Sequence, residues 1–229
     1  MNDICKMKKT LLIDKPHQHT KIFTTENNQI IKSIKMQKNR EKPFALILQE
    51  KLKKTKAQIF FVNYTKIQKC GNFNCYLMPR YAYDVNASFL QKLTPQQQFN
   101  LLQQGVFALF YLNNILHVYH NDVYFRQSIR NFMADPITQT YTVNQGDIEV
   151  LAHDFLLKII DLGQSKNYPS FRTTQYYEKY FPQLKYKSEA FLFIFFFLTT
   201  IYPENIELYQ TVLQKYAAVI LKECKKDLF

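Results

Sequence analysis

The chain has 229 residues, 47% of them apolar and 16% aromatic, with 30 Lys/Arg against 18 Asp/Glu for a net charge of +12. That apolar content excludes an intrinsically disordered chain, and the length suffices for one domain or two small lobes. Residues 1–60 hold fourteen Lys/Arg and five Asp/Glu, so +9 of the +12 lies in roughly the first quarter; such a surface suits phosphate-rich or acidic partners, or is simply a solvated face.

In chain order, Met1–Lys9 is charged and lacks an apolar h-region, so no secretory leader is expected. Residues 10–36 read as three short strands, "TLLID", "TKIFTT" and "QIIKSIKMQ", separated by turns at "KPHQH" and "ENN". A helix follows over Lys42–Thr55, with Phe44, Ile47, Leu48 and Leu52 at helical spacing and Pro43 suited to its first turn. "QIFFVNYTKI" and "FNCYLMPRY" read as two strands joined around "CGN". Cys5, Cys70, Cys75 and Cys224 lack the spacing of a metal site, and free thiols in a reducing, intracellular and cytoplasmic setting are expected.

Thr94-Pro95 opens a long helix reaching about His117, with Phe99, Leu102, Val106, Leu109 and Phe110 as its apolar face. Two apolar segments then end in carboxylates, one at His120-Asn121-Asp122 and one at Asp161-Leu162-Gly163. A carboxylate at the edge of a core is costly to desolvate unless an Arg or Lys, a metal ion or a proton meets it. Residues 134–155 are polar and turn-rich, an expected loop between hairpin strands, and 168–187 look irregular. The run Ala190–Ile201 is too short for a bilayer span of about 20 residues and is expected as a buried helix, followed by an amphipathic one over Glu204–Lys222.

The order of three strands, helix, two strands and long helix, then His-x-Asp and Asp-x-Gly, resembles the protein kinase-like fold. His120-Asn121-Asp122 looks like the catalytic-loop His-Arg-Asp, Asp161-Leu162-Gly163 like the metal-binding Asp-Phe-Gly, and "KSIK" (Lys32–Lys35) like the Val-Ala-Ile-Lys strand. The resemblance covers roughly residues 10–200. It implies an α+β, two-lobed fold, with a β-rich N-lobe over 1–78 and a reduced, mainly helical C-lobe over 79–229 carrying a loop insertion at about 134–155. It further implies ATP and Mg as cofactors, Lys35 on the phosphates, Glu50 (or, more weakly, Glu41) holding that lysine, Asp122 at the acceptor hydroxyl and Asp161 on the metal. "YLMPRY" falls at the hinge between lobes, which places Met78 beside the nucleotide.

The departures from that pattern are specific. The first turn, "DKPHQHT", has no glycine where Gly-x-Gly-x-x-Gly would let backbone amides approach phosphate; Lys15, His17 and His19 are the cations there, either on phosphate or facing solvent. The second metal ligand is Gln127 by spacing, with Asn131 as the alternative that needs a longer loop. Asn121 replaces the arginine that answers a phosphorylated activation loop. No Ala-Pro-Glu follows Asp161, and the 66 residues after Gly163 (229 − 163) are too few for a full peptide-binding lobe. That shortening, and "IIDLGQS", are similar to small atypical kinases such as the RIO family, and the Lys-, Asn- and Ile-rich composition suits a large DNA virus or a protist. Three functions stand: an atypical Ser/Thr protein kinase, a pseudokinase binding an acidic partner surface within an assembly, and a basic protein meeting nucleic acid through its first quarter. No membrane partner is expected.

Overall fold

The computed structural model describes residues 3–15, 19–36, 41–53, 55–125, 128–145, 148–182 and 188–214, with the side chains of 41–43 and 125 excepted. The fold is mixed α+β, with a small antiparallel sheet in the N-terminal region and a mainly helical C-terminal part, in agreement with the expected two-lobed arrangement. Strands β1 (Lys9–Lys15), β2 (Thr20–Thr25) and β3 (Gln29–Lys35), helix α1 (Glu41–Leu52), and strands β4 (Lys66–Cys70) and β5 (Phe73–Pro79) form the N-terminal region. The sheet order is β1-β2-β3-β5-β4 with antiparallel pairs throughout. The stretch expected as a strand at "QIFFV" is instead a 3-10 turn, Lys56–Phe60, with Phe61 bridging to Ile159.

Strand alternation gives this sheet two faces. On one, Ile31, Cys75 and Leu77 close a small cluster with Ile4, and Ser33 meets Cys75. On the other, Ile34 joins the main core with Ala45 and Leu48 of α1. Cys5 and Cys70 form a disulfide that ties the N-terminal turn Ile4–Lys6 to the end of β4. The expectation of free thiols is therefore corrected: Cys75 is free and buried, Cys5 and Cys70 are bonded, and Cys224 lies outside the described residues. The pairing could not be read from spacing, because 65 residues separate the two sulfurs along the chain.

The C-terminal part contains β6 (Tyr83–Asp84), α2 (Ala87–Leu90), α3 (Pro95–Phe110), β7 (Tyr124–Phe125), β8 (Ser128–Ile129), β9 (Phe132–Pro136), β10 (Tyr141–Gln145), β11 (Ile148–Ala152), β12 (Phe155–Ile159), α4 (Phe171–Tyr180), α5 (Glu189–Ile201) and a helical segment over 206–214. Thr94 caps α3 through a capping box with Gln97, as its hydroxyl oxygen suits, and a π-helical turn, Tyr111–Ile115, extends the helix. Its buried face differs from the expected one: Phe99 is exposed, whereas Asn100 and Gln104 are buried. Both amides donate to strand carbonyls, Asn100 to Leu151 (2.5 Å) and Gln104 to Phe155 (2.9 Å), and Gln104 accepts from the Leu157 amide (2.8 Å). An amide can thus replace a hydrophobe where the neighbouring strand has backbone groups to satisfy.

The loop expected over 134–155 is mostly strand: β10 and β11 pair as a hairpin whose Val143 and Val150 face inward. Likewise, part of the irregular-looking 168–187 is α4, capped by Ser170 and buried along Thr173, Tyr177 and Tyr180. Helix α5 is buried almost throughout, its phenylalanines packing against Phe132, Tyr180 and Phe181. No described helix is long and apolar enough to cross a membrane.

Candidate active site

The two carboxylates of the sequence come to the junction between the sheet and the C-terminal part. Asp161 follows β12 in a left-handed conformation (φ 58°) and caps the turn Leu162–Gln164. Its Oδ1 lies 2.6 Å from Lys32 Nζ, across 129 residues of chain. Burial raises the Asp161 pKa, but the Lys32 ammonium, His120 and the Gly163 amide outweigh it and hold the carboxyl at about 2. A Cβ at Gly163 would sit 3.2 Å from Asp161 Oδ1, so a side chain there would require that carboxylate to give by a few tenths of an ångström.

Lys32, not Lys35, is therefore the lysine that meets the second carboxylate. Both follow an isoleucine, but they stand three residues apart on a strand and so point to opposite faces. Lys35 shares the face of Ile31 and Ser33, away from Asp161, and is partly exposed. Glu50 lies on the exposed side of α1, opposite the buried Ala45 and Leu48; the Glu41 side chain lies outside the described residues. Met78 pairs with Ile30, two residues along the ladder from Lys32–Tyr76 and so on the same face as Lys32. Lys15 ends β1 opposite Thr20, the carbonyl of His19 accepts from the Lys35 amide, and His17 lies outside the described residues.

Asp122 is buried in a loop whose backbone is held by Glu189. Glu189, at the head of α5, accepts the backbone N–H of His120 (2.7 Å) and of Asn121 (2.6 Å), and the Asn113 amide (3.0 Å). Burial pushes the Glu189 carboxyl up, partly offset by His120 and these hydrogen bonds. The signal was a lone carboxylate opening an otherwise apolar helix. Asn121, also left-handed (φ 63°), accepts from Ser170 N (2.6 Å) and Thr173 Oγ1 (3.1 Å), and so fastens the start of α4 to the loop.

Asn131 is the amide beside Asp122. The short hairpin β7–β8 leaves the loop after Asp122 and returns, which brings Asn131 Nδ2 to 2.7 Å from the Asp122 carbonyl and 3.1 Å from its Oδ2. The carbonyl of Asn131 accepts from Ile160 N (3.0 Å), joining this loop to the residue before Asp161. Gln127, favoured by spacing, lies outside the described residues. Two arginines complete the site: Arg130 lies 3.5 Å from Asp122 Oδ2 and Arg172 3.5 Å from its Oδ1.

No protein-family model and no curated protein matches the chain. Among solved structures, a crystal structure described as a kinase domain matches 68% of this chain at 14% identity and a TM-score of 0.45. The match spans 50% of that chain. At that level the likeness carries no argument, and the functional reading stands on the geometry above.

Asp161 and Asn131 are the residues that could hold a hard divalent cation. Asp161 is ionised at neutral pH, and Asn131 directs its side-chain nitrogen to Asp122, so its side-chain oxygen Oδ1, distinct from the backbone carbonyl that meets Ile160 N, is the candidate ligand atom. No cluster of three or more acidic, His or Cys side chains suited to a metal exists among the described residues. Mg²⁺ does not need one, because it takes one or two protein oxygens and completes its shell with water and substrate phosphates.

Proposed function

We propose that the chain is a small, atypical Ser/Thr protein kinase-like phosphotransferase that uses Mg-ATP. The observation that carries this reading is the Lys32–Asp161 contact beside an Asp122–Asn131 pair: one cation and two carboxylates from three distant segments at one junction. Lys32 neutralises phosphate charge, and Asp161 with Asn131 holds the cation, which supplies further neutralisation of the phosphates when bound. Asp122 orients the acceptor hydroxyl. The hydroxyl oxygen forms a bond to the γ-phosphorus as the bond to the β–γ bridging oxygen breaks; ADP leaves, and the hydroxyl proton passes to Asp122 and on to water. Glu189 keeps the Asp122 loop in place through the His120 and Asn121 amides.

A second reading, a pseudokinase that binds a partner without transfer, is favoured by the glycine-free turn after β1 and by the two arginines resting on Asp122. The test separates them. ATP with Mg²⁺ should raise the melting temperature, and Asp161→Asn should abolish the Mg²⁺-dependent part. Transfer of labelled phosphate should be measurable in the wild type and fall about a hundredfold or more in Asp122→Asn, the scale of losing a general base. Nucleotide binding without transfer would establish the pseudokinase, and no nucleotide binding would refute both.

A further inference from the structure

The face of the sheet turned away from Lys32 and Asp161 carries a small apolar cluster of its own. Ile31 of β3 and Cys75 and Leu77 of β5 lie there with Ile4, and Met7, Phe23, Cys70 and Phe73 pack around them. Ile4 is fully buried, whereas Cys5 and Lys6, which follow it, are exposed. The turn Ile4–Lys6 is thus a cover that puts one apolar side chain into the cluster. Gln68 of β4 clamps it: the Gln68 side chain accepts from the Ile4 amide (3.1 Å) and donates to Asp3 Oδ1 (2.6 Å), which also accepts from the Cys5 amide (3.0 Å). The Cys5–Cys70 disulfide adds a covalent hold.

Ordering a segment of several residues costs backbone entropy at each of them, and one buried isoleucine with two hydrogen bonds to Gln68 does not return that cost. The disulfide is what keeps the cover down. It is also within reach of solvent: Cys5 is exposed and Cys70 half-buried, and exposed disulfides are the ones that exchange with thiols. Lys6 and Lys69, exposed neighbours of the two cysteines in the chain, favour the thiolates through which exchange passes. We infer that Cys5–Cys70 is a thiol-exchange site for a small thiol of the glutathione class, and that its reduction lifts the turn and opens the cluster beneath it. A thiolate attacks Cys5 Sγ; a new S–S bond forms there as the Cys5–Cys70 bond breaks, and Cys70 leaves as a thiolate that takes a proton from water. A second thiolate then attacks the sulfur of the first thiol in the mixed disulfide. Cys5 leaves in its turn and is protonated, and the two small thiols depart joined as their oxidised dimer. Cys75 is not an exchange partner. It stands opposite Gln68 while Cys70 stands opposite Phe73, so the two are diagonal neighbours, roughly 7–8 Å apart and beyond the Cβ reach of a disulfide. Buried beside Ile4, its thiol instead reports the opening. The cluster lies across the sheet from Lys32, so this inference does not rest on phosphate transfer.

The test has two arms and uses no nucleotide. In the first, the full native chain is incubated with reduced glutathione, quenched in acid and mapped by mass spectrometry. A glutathione adduct on Cys5, followed by free thiols at Cys5 and Cys70, is expected. A disulfide that resists glutathione until the chain is unfolded overturns the inference. The second arm follows Cys75 with a maleimide. Cys224→Ser leaves Cys75 as the free thiol of the oxidised chain, and adding Cys5→Ser with Cys70→Ser stands in for the reduced state. Cys75 should be labelled at least about tenfold faster in the latter, with an unchanged far-UV circular dichroism spectrum. Should that variant fail to fold, the reduced wild type gives the same comparison by peptide mapping. Lifting a turn exposes little surface, so the rate should stay nearly flat in dilute urea, whereas labelling through global unfolding climbs steeply. Equal labelling of the oxidised and reduced forms, or a rate that climbs steeply with urea, overturns the inference.

Discussion

Lys32→Met, with Lys35→Met as its control, tests the central contact. Lys32 Nζ is 2.6 Å from Asp161 and its side chain is only 10% exposed, so methionine keeps the packing and removes the charge. The Asp161 pKa lies at about 2 against an ordinary 3.8; at roughly 1.4 kcal/mol per pH unit this is a ceiling of about 2.5 kcal/mol. With 35% of the Asp161 side chain in water, screening leaves about 1 kcal/mol. Because the folded pKa is depressed, this contribution is complete above the unfolded value near 3.8 and is lost as pH falls through about 2. Without Lys32 the largest influence opposing burial is lost, so the Asp161 pKa rises. Urea unfolding at pH 7 should show a loss of about 1 kcal/mol in Lys32→Met that narrows in acid, with a change near zero in Lys35→Met. The melting shift produced by Mg-ATP should shrink in the first variant and persist in the second. Equal responses of the two variants to nucleotide would refute the assignment of Lys32.

Glu189→Ala leaves the amides of His120 and Asn121 and the Asn113 side chain without their acceptor, and should cost about 3–5 kcal/mol in chemical denaturation. Glu189→Gln keeps one acceptor oxygen and should lose phosphate transfer before it loses fold. Gly105→Ala places a methyl into the Phe193 ring where α3 crosses α5, and should cost about 1–3 kcal/mol by thermal melting. Cys5→Ser opens the loop closed by the bridge to Cys70 and should lower stability by about 2–4 kcal/mol, with the same drop on adding a reductant to the wild type and none in the variant.

Much of the fold was legible because its elements announce themselves locally. The periods of β1 to β3 and β5, the Thr94-Pro95 cap and the apolar run of α5 all act within a few residues. What escaped depended on tertiary partners. The β10–β11 hairpin reads as polar because only Val143 and Val150 face inward. Asn100 and Gln104 look like surface residues until the strand carbonyls they satisfy are in place. In the site, Asp122 and Asp161 stood out because each ends an apolar segment. The choice between Lys32 and Lys35 required strand parity, and that was available: Ile31 and Ser33 share a face with Lys35, Ile30 and Ile34 with Lys32. Glu189 could be noticed but not paired, since its partners lie 68 and 69 residues away.

The hairpin between Asp122 and Asn131 has a wider consequence. Antiparallel pairing returns a chain to the place it left, so two residues can stay neighbours in space while the stretch between them lengthens in steps of two. Tyr124 opposite Ile129 and Phe125 opposite Ser128 are two such steps. Evolution can thus lengthen this loop at its far end without disturbing the residues at its base, and a label or affinity tag grafted between Phe125 and Ser128 would exploit the same freedom. Any pattern that demands a fixed interval between aspartate and asparagine will pass over chains in which that growth has occurred.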